Sequence, residues 1–265
     1  MSAVFIDTHA HLYDERYDDD RAEMIARAEA AGVAQIISMG DTMVASAQVV
    51  ADAEQYPALY AAVGVHPESA CVLTDAERAQ LLAWAKHPKV VAIGEIGLDY
   101  YWEKDPKVRA VQRELFVTQL GIARAAGLPV CIHDREAHGD TLAILQAEGR
   151  DLTGVLHCYS GSLETARELW KLGYYIGIDG PLTFKNAGKL PAIVREAPQD
   201  KLLIETDSPY LAPFRSAASA TSLPMSLSSR QRLQSCAARA WRRSRSIQRR
   251  MRGGFIRNLF EFIFS

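Results

Sequence analysis

The sequence predicts an α/β chain folded as a (β/α)8 TIM barrel. Three observations carry that prediction. Short apolar, β-rich runs alternate with longer helical patterns eight times between Val4 and Glu205, the signature of a parallel sheet covered by helices. Eight such units in about 215 residues suit a closed barrel, which takes roughly 200–250. Finally, His9, His66, Glu95, His133, His157 and Asp207 each fall at or just past the C-terminal end of a run. In a closed barrel those ends share one mouth. In the alternative, an open doubly wound sheet, six strand ends would spread along a crevice too long for a single site.

The first strand is expected at Val4–Asp7, followed by a helix over Arg21–Ala31 that stops at Gly32. Strands follow at Ala34–Met39 and Tyr60–Val65, then a helix at Ala76–Lys86 and a strand at Val90–Glu95. The helix at Val108–Ala126 ends on Gly127 and leads into a strand at Pro129–His133. A helix at Glu136–Gln146 precedes the strand Gly154–His157, and a helix at Leu163–Leu172, closed by Gly173, precedes Tyr175–Ile178. The last pair is a helix at Gly188–Glu196 and a strand at Leu202–Glu205. Alanine, leucine and glutamate dominate the helices, with apolar residues at three-and-four spacing. Glycine after a helix supplies the left-handed residue that terminates it.

Composition narrows the class. With 265 residues, 48% of them hydrophobic, the chain can bury one large core. It has no run of 18 apolar residues, so no membrane span is expected. No charged-then-apolar leader precedes the first strand, and the four cysteines show no paired spacing. Reduced thiols in a cytoplasmic protein follow as the expectation. Charge is unevenly placed. Eleven of the 30 basic residues, but only one of the 32 acidic ones (Glu261), lie from Arg215 onwards. The body is therefore acidic and carries no basic bias of the kind a non-specific DNA coat needs.

The chemistry starts at Phe5-Ile6-Asp7-Thr8-His9-Ala10-His11-Leu12. Alternate strand residues share a face, so His9 and His11 project together. Two neutral imidazoles aimed at one point make half a divalent-metal site. Asp7 is equally a partner that orients an imidazole or an ordinary strand-end acid. Glu95 lies in the apolar run Val91–Leu98, where an unpaired carboxylate is costly to bury; beside strand-end histidines it reads as a metal ligand, bridging in one arrangement. His133 and His157 follow near-identical apolar runs, and together they favour ligation over two satisfied core histidines. Asp207 precedes Ser208-Pro209. It is either a turn acid or, since a barrel's last strand lies beside its first, a neighbour of His9 and His11. Asp99 and Tyr100 lie further along the loop, as substrate contacts or caps. His87 and His138 read as structural. His66, in Gly64-Val65-His66-Pro67, is read as a substrate contact, and Arg135 and Lys185 as candidate anion contacts whose commoner fate is solvent or an ion pair.

Taken together, these strings resemble the TatD family of metal-dependent hydrolases, usually described as DNases, among the amidohydrolase-like barrels. The matching segments are Asp7–Leu12, Gly64–Pro67, Gly94–Tyr100, Ile132–Ala137, His157–Gly161, Thr183–Ala187 and Glu205–Pro213. No single string is specific, but the ordered set is. The resemblance implies two adjacent divalent cations, with Mg2+ first and Zn2+ or Mn2+ as alternatives. His9, His11, Glu95 and Asp207 would hold one; Glu95, His133 and His157 would hold the other, with Glu95 bridging. The implied activity is phosphodiester hydrolysis of DNA, exonuclease-like, by a water between the metals, with Asp207 and Glu95 as the catalytic carboxylates and Asp207 accepting the water's proton. Glu68 after His66-Pro67 departs from the family pattern and affects a secondary substrate contact only. No feature calls for a membrane or an obligate protein partner.

Residues 1–213 thus form the expected hydrolase domain. The tail, 214–265, departs from the pattern and is expected to be partly disordered or weakly packed. Where family members run Arg-Gly-Lys-Arg-Asn-Glu-Pro-x-Tyr-Val, this chain has Ala217-Ala218-Ser219-Ala220-Thr221-Ser222-Leu223-Pro224-Met225-Ser226. The codons CGC GGC AAG CGC AAC GAG CCT GCC TAT GTC encode the former with alanine at x; read one base later they encode the latter. We therefore hypothesise a reading-frame slip near Ser216, regained before Phe255–Phe260. The gene's nucleotide sequence decides it, and a frame with no compensating insertion or deletion relative to close relatives would remove the idea. The plainer reading is a basic, nucleic-acid-binding extension. Two other function classes stay open: a hydrolase of small esters, amides or lactones, favoured mildly by the acidic body and by the lack of aromatic stacking platforms in the sequence, and a non-catalytic metal-binding product impaired by the altered tail.

Overall fold

The computed structural model describes residues 5–198 and 200–211, so the tail and the frame-slip reading lie outside the described residues. Eight parallel strands run in the order of the chain: β1 Phe5–Ala10, β2 Val33–Met39, β3 Leu59–Val63, β4 Val90–Asp99, β5 Val130–Arg135, β6 Gly154–Leu156, β7 Tyr175–Ile178 and β8 Leu202–Ile204. Past β8 the ring closes onto β1 through backbone hydrogen bonds. The Asp207 N–H donates to the His9 carbonyl at 2.9 Å and the His11 N–H donates to the Ser208 carbonyl at 2.7 Å. The result is the nearly closed TIM barrel that strand-helix alternation predicts.

The described helices are α1 Arg21–Ala30, α2 Met43–Gln55, α3 Asp75–Trp84, α4 Pro106–Ala126, α5 His138–Glu148, α6 Leu163–Lys171 and α7 Leu190–Glu196. Most begin on a side-chain cap. Thr74 and Glu77 form a reciprocal capping box on α3, and Asp105 caps α4 ahead of Pro106. Gly127 ends α4 at φ +67°. The inner face of α4 buries Leu115, Phe116 and Leu120 against the strands, each contributing roughly 1.5–3 kcal/mol as an upper figure. A second, smaller cluster, including Ile37, Val91, Cys131 and Val155, packs separately from that helix-facing layer.

Three differences from the sequence expectation have physical causes. Helix α2 had no counterpart there; its run of small and β-branched residues is a weak helical signal, and the Thr42 hydroxyl that accepts the Ala45 N–H starts it. Helix α5 begins two residues later than expected because Glu136 sits at φ +55°, outside the helical region. Strand β4 runs four residues past Glu95, so Glu95 lies mid-strand and Asp99 is the strand-end residue.

Two glycines allow that extension. A Cβ on Gly97, at φ +135°, would lie 2.0 Å from the His133 carbonyl oxygen, and one on Gly94 would lie 2.6 Å from the Cys131 Cβ. Their bare backbones let β4 lie close against β5, which brings Glu95 to His133.

Candidate metal centre

Six donor residues converge at the mouth: His9, Glu95 and His133 within β1, β4 and β5, and His11, His157 and Asp207 just past the ends of β1, β6 and β8. On one side, His9 Nε2 and His11 Nε2 are 3.2 Å apart. Each is 3.5 Å from Glu95 Oε2, and they lie 3.5 and 3.3 Å from Asp207 Oδ1. Donor atoms held about 2.1 Å from one tetrahedral cation are themselves about 3.4 Å apart. This spacing therefore suits a cation at the centre, and neutral imidazoles with carboxylates are the donor set that divalent metals take.

On the other side, Glu95 Oε1 faces His157 Nε2 at 2.6 Å and His133 Nδ1 at 2.9 Å, and those two ring nitrogens are 3.1 Å apart. Glu95 thus presents one oxygen to each group of histidines, and it is only 3% exposed. His66 Nε2 approaches the same Oε1 at 3.5 Å.

The other atoms of these rings assign their protons. His133 Nε2 lies 3.1 Å from Asp99 Oδ2, so the ring donates there, and in its neutral form, the form a cation would take, the Nδ1 lone pair faces Glu95. His66 is the reverse. Its Nδ1 accepts the Glu68 backbone N–H at 3.1 Å, so the neutral ring carries its proton on Nε2, toward the cleft. His66 is thereby a hydrogen-bond donor in this tautomer.

Burial and charge set the protonation states. Burial pushes His9 down to about 4, so its ring is neutral. Burial works against ionised Glu95, but the charges of His157, His66 and His9 and the His133 hydrogen bond hold it well below the usual carboxylate range. Asp207 is likewise lowered: burial opposes its charge, but the His11 hydrogen bond and the charges of His9, His157 and His11 together outweigh it. Burial also opposes protonated His133, yet Asp99 and Glu95 lift it to about 10. Asp7 makes no hydrogen bond with the ligating side-chain atoms; its hydrogen bonds go to backbone groups and to Thr206. It accepts from the Thr206 hydroxyl at 2.6 Å and from the Thr206 and His9 backbone N–H groups, and burial raises it to about 7. Asp207 itself sits at φ +54°, a strained conformation for a non-glycine residue of the kind that collects at functional sites.

The remaining residues singled out in the sequence fall as follows. Arg135, at the end of β5, lines the cleft of about 960 Å3 above the donors, as does His66. Lys185 follows the 3-10 turn Gly180–Thr183, but Lys189, not Lys185, lines the cleft wall. His138 pairs with Asp134 at 2.7 Å and His87 with Glu54 at 3.0 Å, both away from the donors.

Sequence reasoning missed three features. Asp41, just past β2, lines the cleft and accepts the Tyr13 hydroxyl at 2.5 Å; the strand-end rule applied to Gly40-Asp41 would have found it. The partnership of Asp99 with His133 was also missed. The expectation of no aromatic platform is corrected outright: Trp102, 62% exposed, and Tyr210, 46% exposed, both line the cleft, and Tyr101 packs beside Trp102. They are far apart in sequence and meet only through the barrel.

Among the described residues no helix is long and apolar enough to cross a membrane.

Known proteins resemble this chain over most of its length. A family model described as TatD related DNase matches residues 6–238. An uncharacterized metal-dependent hydrolase, YabD of Bacillus subtilis, is 44% identical over 211 residues, covering 79% of this chain and 82% of its own. A protein of Cronobacter turicensis named 3'-5' ssDNA/RNA exonuclease TatD is 41% identical over 209 residues, covering 78% and 79%. The crystal structure of the TatD homologue YjjV from Escherichia coli superposes with a TM-score of 0.82 at 31% identity, covering 94% of this chain and 96% of that one.

Proposed function

Because the chain belongs to the TatD family of metal-dependent hydrolases, we propose that it is a phosphodiesterase of single-stranded nucleic acid, with DNA as its substrate, that works with two divalent cations. The observation that carries this reading is Glu95, whose two oxygens face two separate sets of imidazoles. His9, His11, Glu95 and Asp207 would hold one cation and Glu95, His133 and His157 the other. Mg2+ is the expected ion, with Zn2+ or Mn2+ suiting the imidazole-rich donors. When bound, the pair would supply an acidified water and offset the negative charge that builds on phosphorus.

The chain's own residues do the rest. Asp207, ionised and at the rim, accepts a proton from the attacking water. His66 Nε2–H donates to a phosphate oxygen, and Arg135 offers a cation at the mouth. Lys185 is retained as a weaker candidate beside Lys189. Asp99 fixes the His133 tautomer.

The relatives named as exonucleases support nucleic acid over small esters. The test is the full chain, stripped of metal, assayed with Mg2+, Mn2+ or Zn2+ on end-labelled single-stranded DNA and on small carboxylic esters and lactones. Cation-dependent shortening of DNA, abolished in Glu95→Gln and Asp207→Asn, is the expected result. Turnover of esters alone would replace this reading with the small-substrate one, and equal activity in all three proteins would overturn the mechanism.

A further inference from the structure

The barrel's strand order fixes where the exposed aromatic residues stand. Strands β8 and β1 adjoin where the ring closes, and β4 and β5 adjoin halfway round an eight-stranded ring. Trp102 and Tyr101 follow β4, and Arg135 ends β5. Tyr210 follows β8, and Arg16 follows β1. The two groups therefore face each other across the mouth, with Glu95 and the histidines between them.

Each group sets a guanidinium against aromatic rings. The Arg135 guanidinium lies 4.1 Å from the Tyr101 ring centroid and 5.5 Å from that of Trp102. The Arg16 guanidinium lies 4.6 Å from the Tyr210 ring, which in turn stands 5.6 Å from the His11 ring. A large aromatic side chain left exposed at a polar cleft retains apolar area that a ligand can cover. An aromatic face beside a guanidinium is the combination that takes a nucleobase by stacking and its phosphate by charge.

The two stations differ in one respect. Arg16 is clamped by Asp14 through two hydrogen bonds of 2.8 and 2.7 Å, so its charge is already matched. Arg135 has ring contacts but no carboxylate partner among the described residues. Charge for an incoming phosphate is thus concentrated on the Trp102 side.

We propose that Trp102 and Tyr210 are substrate-specificity residues forming two base-stacking stations on opposite sides of the metal centre, so that a single strand is held across the mouth with a phosphodiester over Glu95. This rests on the nucleic-acid reading of the site. The stations exclude duplex substrate, because paired bases have their faces covered by neighbours. Trp102, next to the unmatched Arg135, is the stronger of the two.

The experiment measures binding and turnover separately. Thymidine oligonucleotides of one to six residues are titrated into the full chain in the Glu95→Gln background, alone and with Trp102→Ala, Tyr210→Ala or Trp102→Phe. The same substitutions in the otherwise native chain are assayed on the oligonucleotides and on bis(p-nitrophenyl) phosphate. Each alanine should weaken binding of the longer oligonucleotides by about 5- to 150-fold, with the larger loss at Trp102. Trp102→Phe should restore most of it, since a face remains. A duplex of the same sequence should bind weakly and lose nothing, and hydrolysis of the nitrophenyl diester, too short to span both stations, should fall far less than that of the longer oligonucleotides.

Oligonucleotide affinity unaltered in both alanine variants would overturn the stations while leaving the phosphodiesterase reading intact. Graded binding losses without any cleavage by the native chain would sustain the stations and overturn the catalytic reading. No binding of single strands by the native chain would overturn both.

Discussion

Replacing Asp99 by asparagine isolates the role of one proton. Asp99 Oδ1 accepts the Tyr101 and Trp102 backbone N–H groups at 2.8 Å each, and Oδ2 accepts from His133 Nε2 at 3.1 Å. Asparagine keeps the first oxygen for the turn and turns its amide N–H2 toward the ring. His133 must then accept at Nε2, and the neutral ring moves its proton to Nδ1. That is the atom aimed at Glu95 and, by our reading, at the second cation. The lone pair needed for ligation is consumed although every heavy atom stays in place. Partners that orient a ligating histidine are typically worth 10- to 100-fold in metal affinity or activity, or about 1.4–2.7 kcal/mol. Calorimetric titration of the cation-free variant with Mn2+ should show one site weakened by that factor and the other unchanged, with DNA hydrolysis reduced in parallel and the far-UV circular dichroism preserved. Two sites with native affinities and native turnover would refute the tautomer argument and, with it, His133 as a ligand through Nδ1.

Other expectations follow from the same geometry. Asp207→Asn should lower the rate of DNA hydrolysis by about 10²- to 10⁴-fold, the usual worth of a positioned base, in a steady-state assay where the KM for DNA moves little. Adding cation at a hundred times its Kd to chelator-treated protein should stabilise it by about 2.7 kcal/mol; thermal melts that do not move would argue against a preformed site. The third concerns pH. The Asp7 carboxyl is raised from 3.8 to about 7 in the fold, so the folded state holds the extra proton and stability drains away as pH climbs from about 4 through 7. Urea titrations of cation-free protein should show Asp7→Asn gaining on the native chain over that interval, by up to about 4 kcal/mol. Parallel curves for the two proteins would contradict the assignment.

Much of this was legible in the sequence because it is written in local terms. An apolar run ending in histidine marks both a strand and its mouth-facing end, and the barrel follows from counting such units. The clustering of Asp207 with His9 and His11 follows from closure alone. What the sequence withheld are relations between distant segments and the exposure of individual side chains. Asp99 and His133 are 34 residues apart, and nothing near either names the other. Trp102 in Tyr100-Tyr101-Trp102 reads equally as core, and its exposure is decided by the turn that Asp99 holds. Glu136 looks like the start of a helix, and only the continuation of β5 through Arg135 forces its left-handed backbone.

The seam between β1 and β8 carries a consequence for how the protein comes into being. Asp7 and Thr206 bond across 199 positions, and the cluster around His9 needs Asp207 before it exists. During synthesis, at about 5–20 residues per second, a nascent chain exposes both amino-terminal histidines long before the acid that completes their set leaves the ribosome. A metal-binding cluster arranged in this way stays unassembled until the last strand has been made.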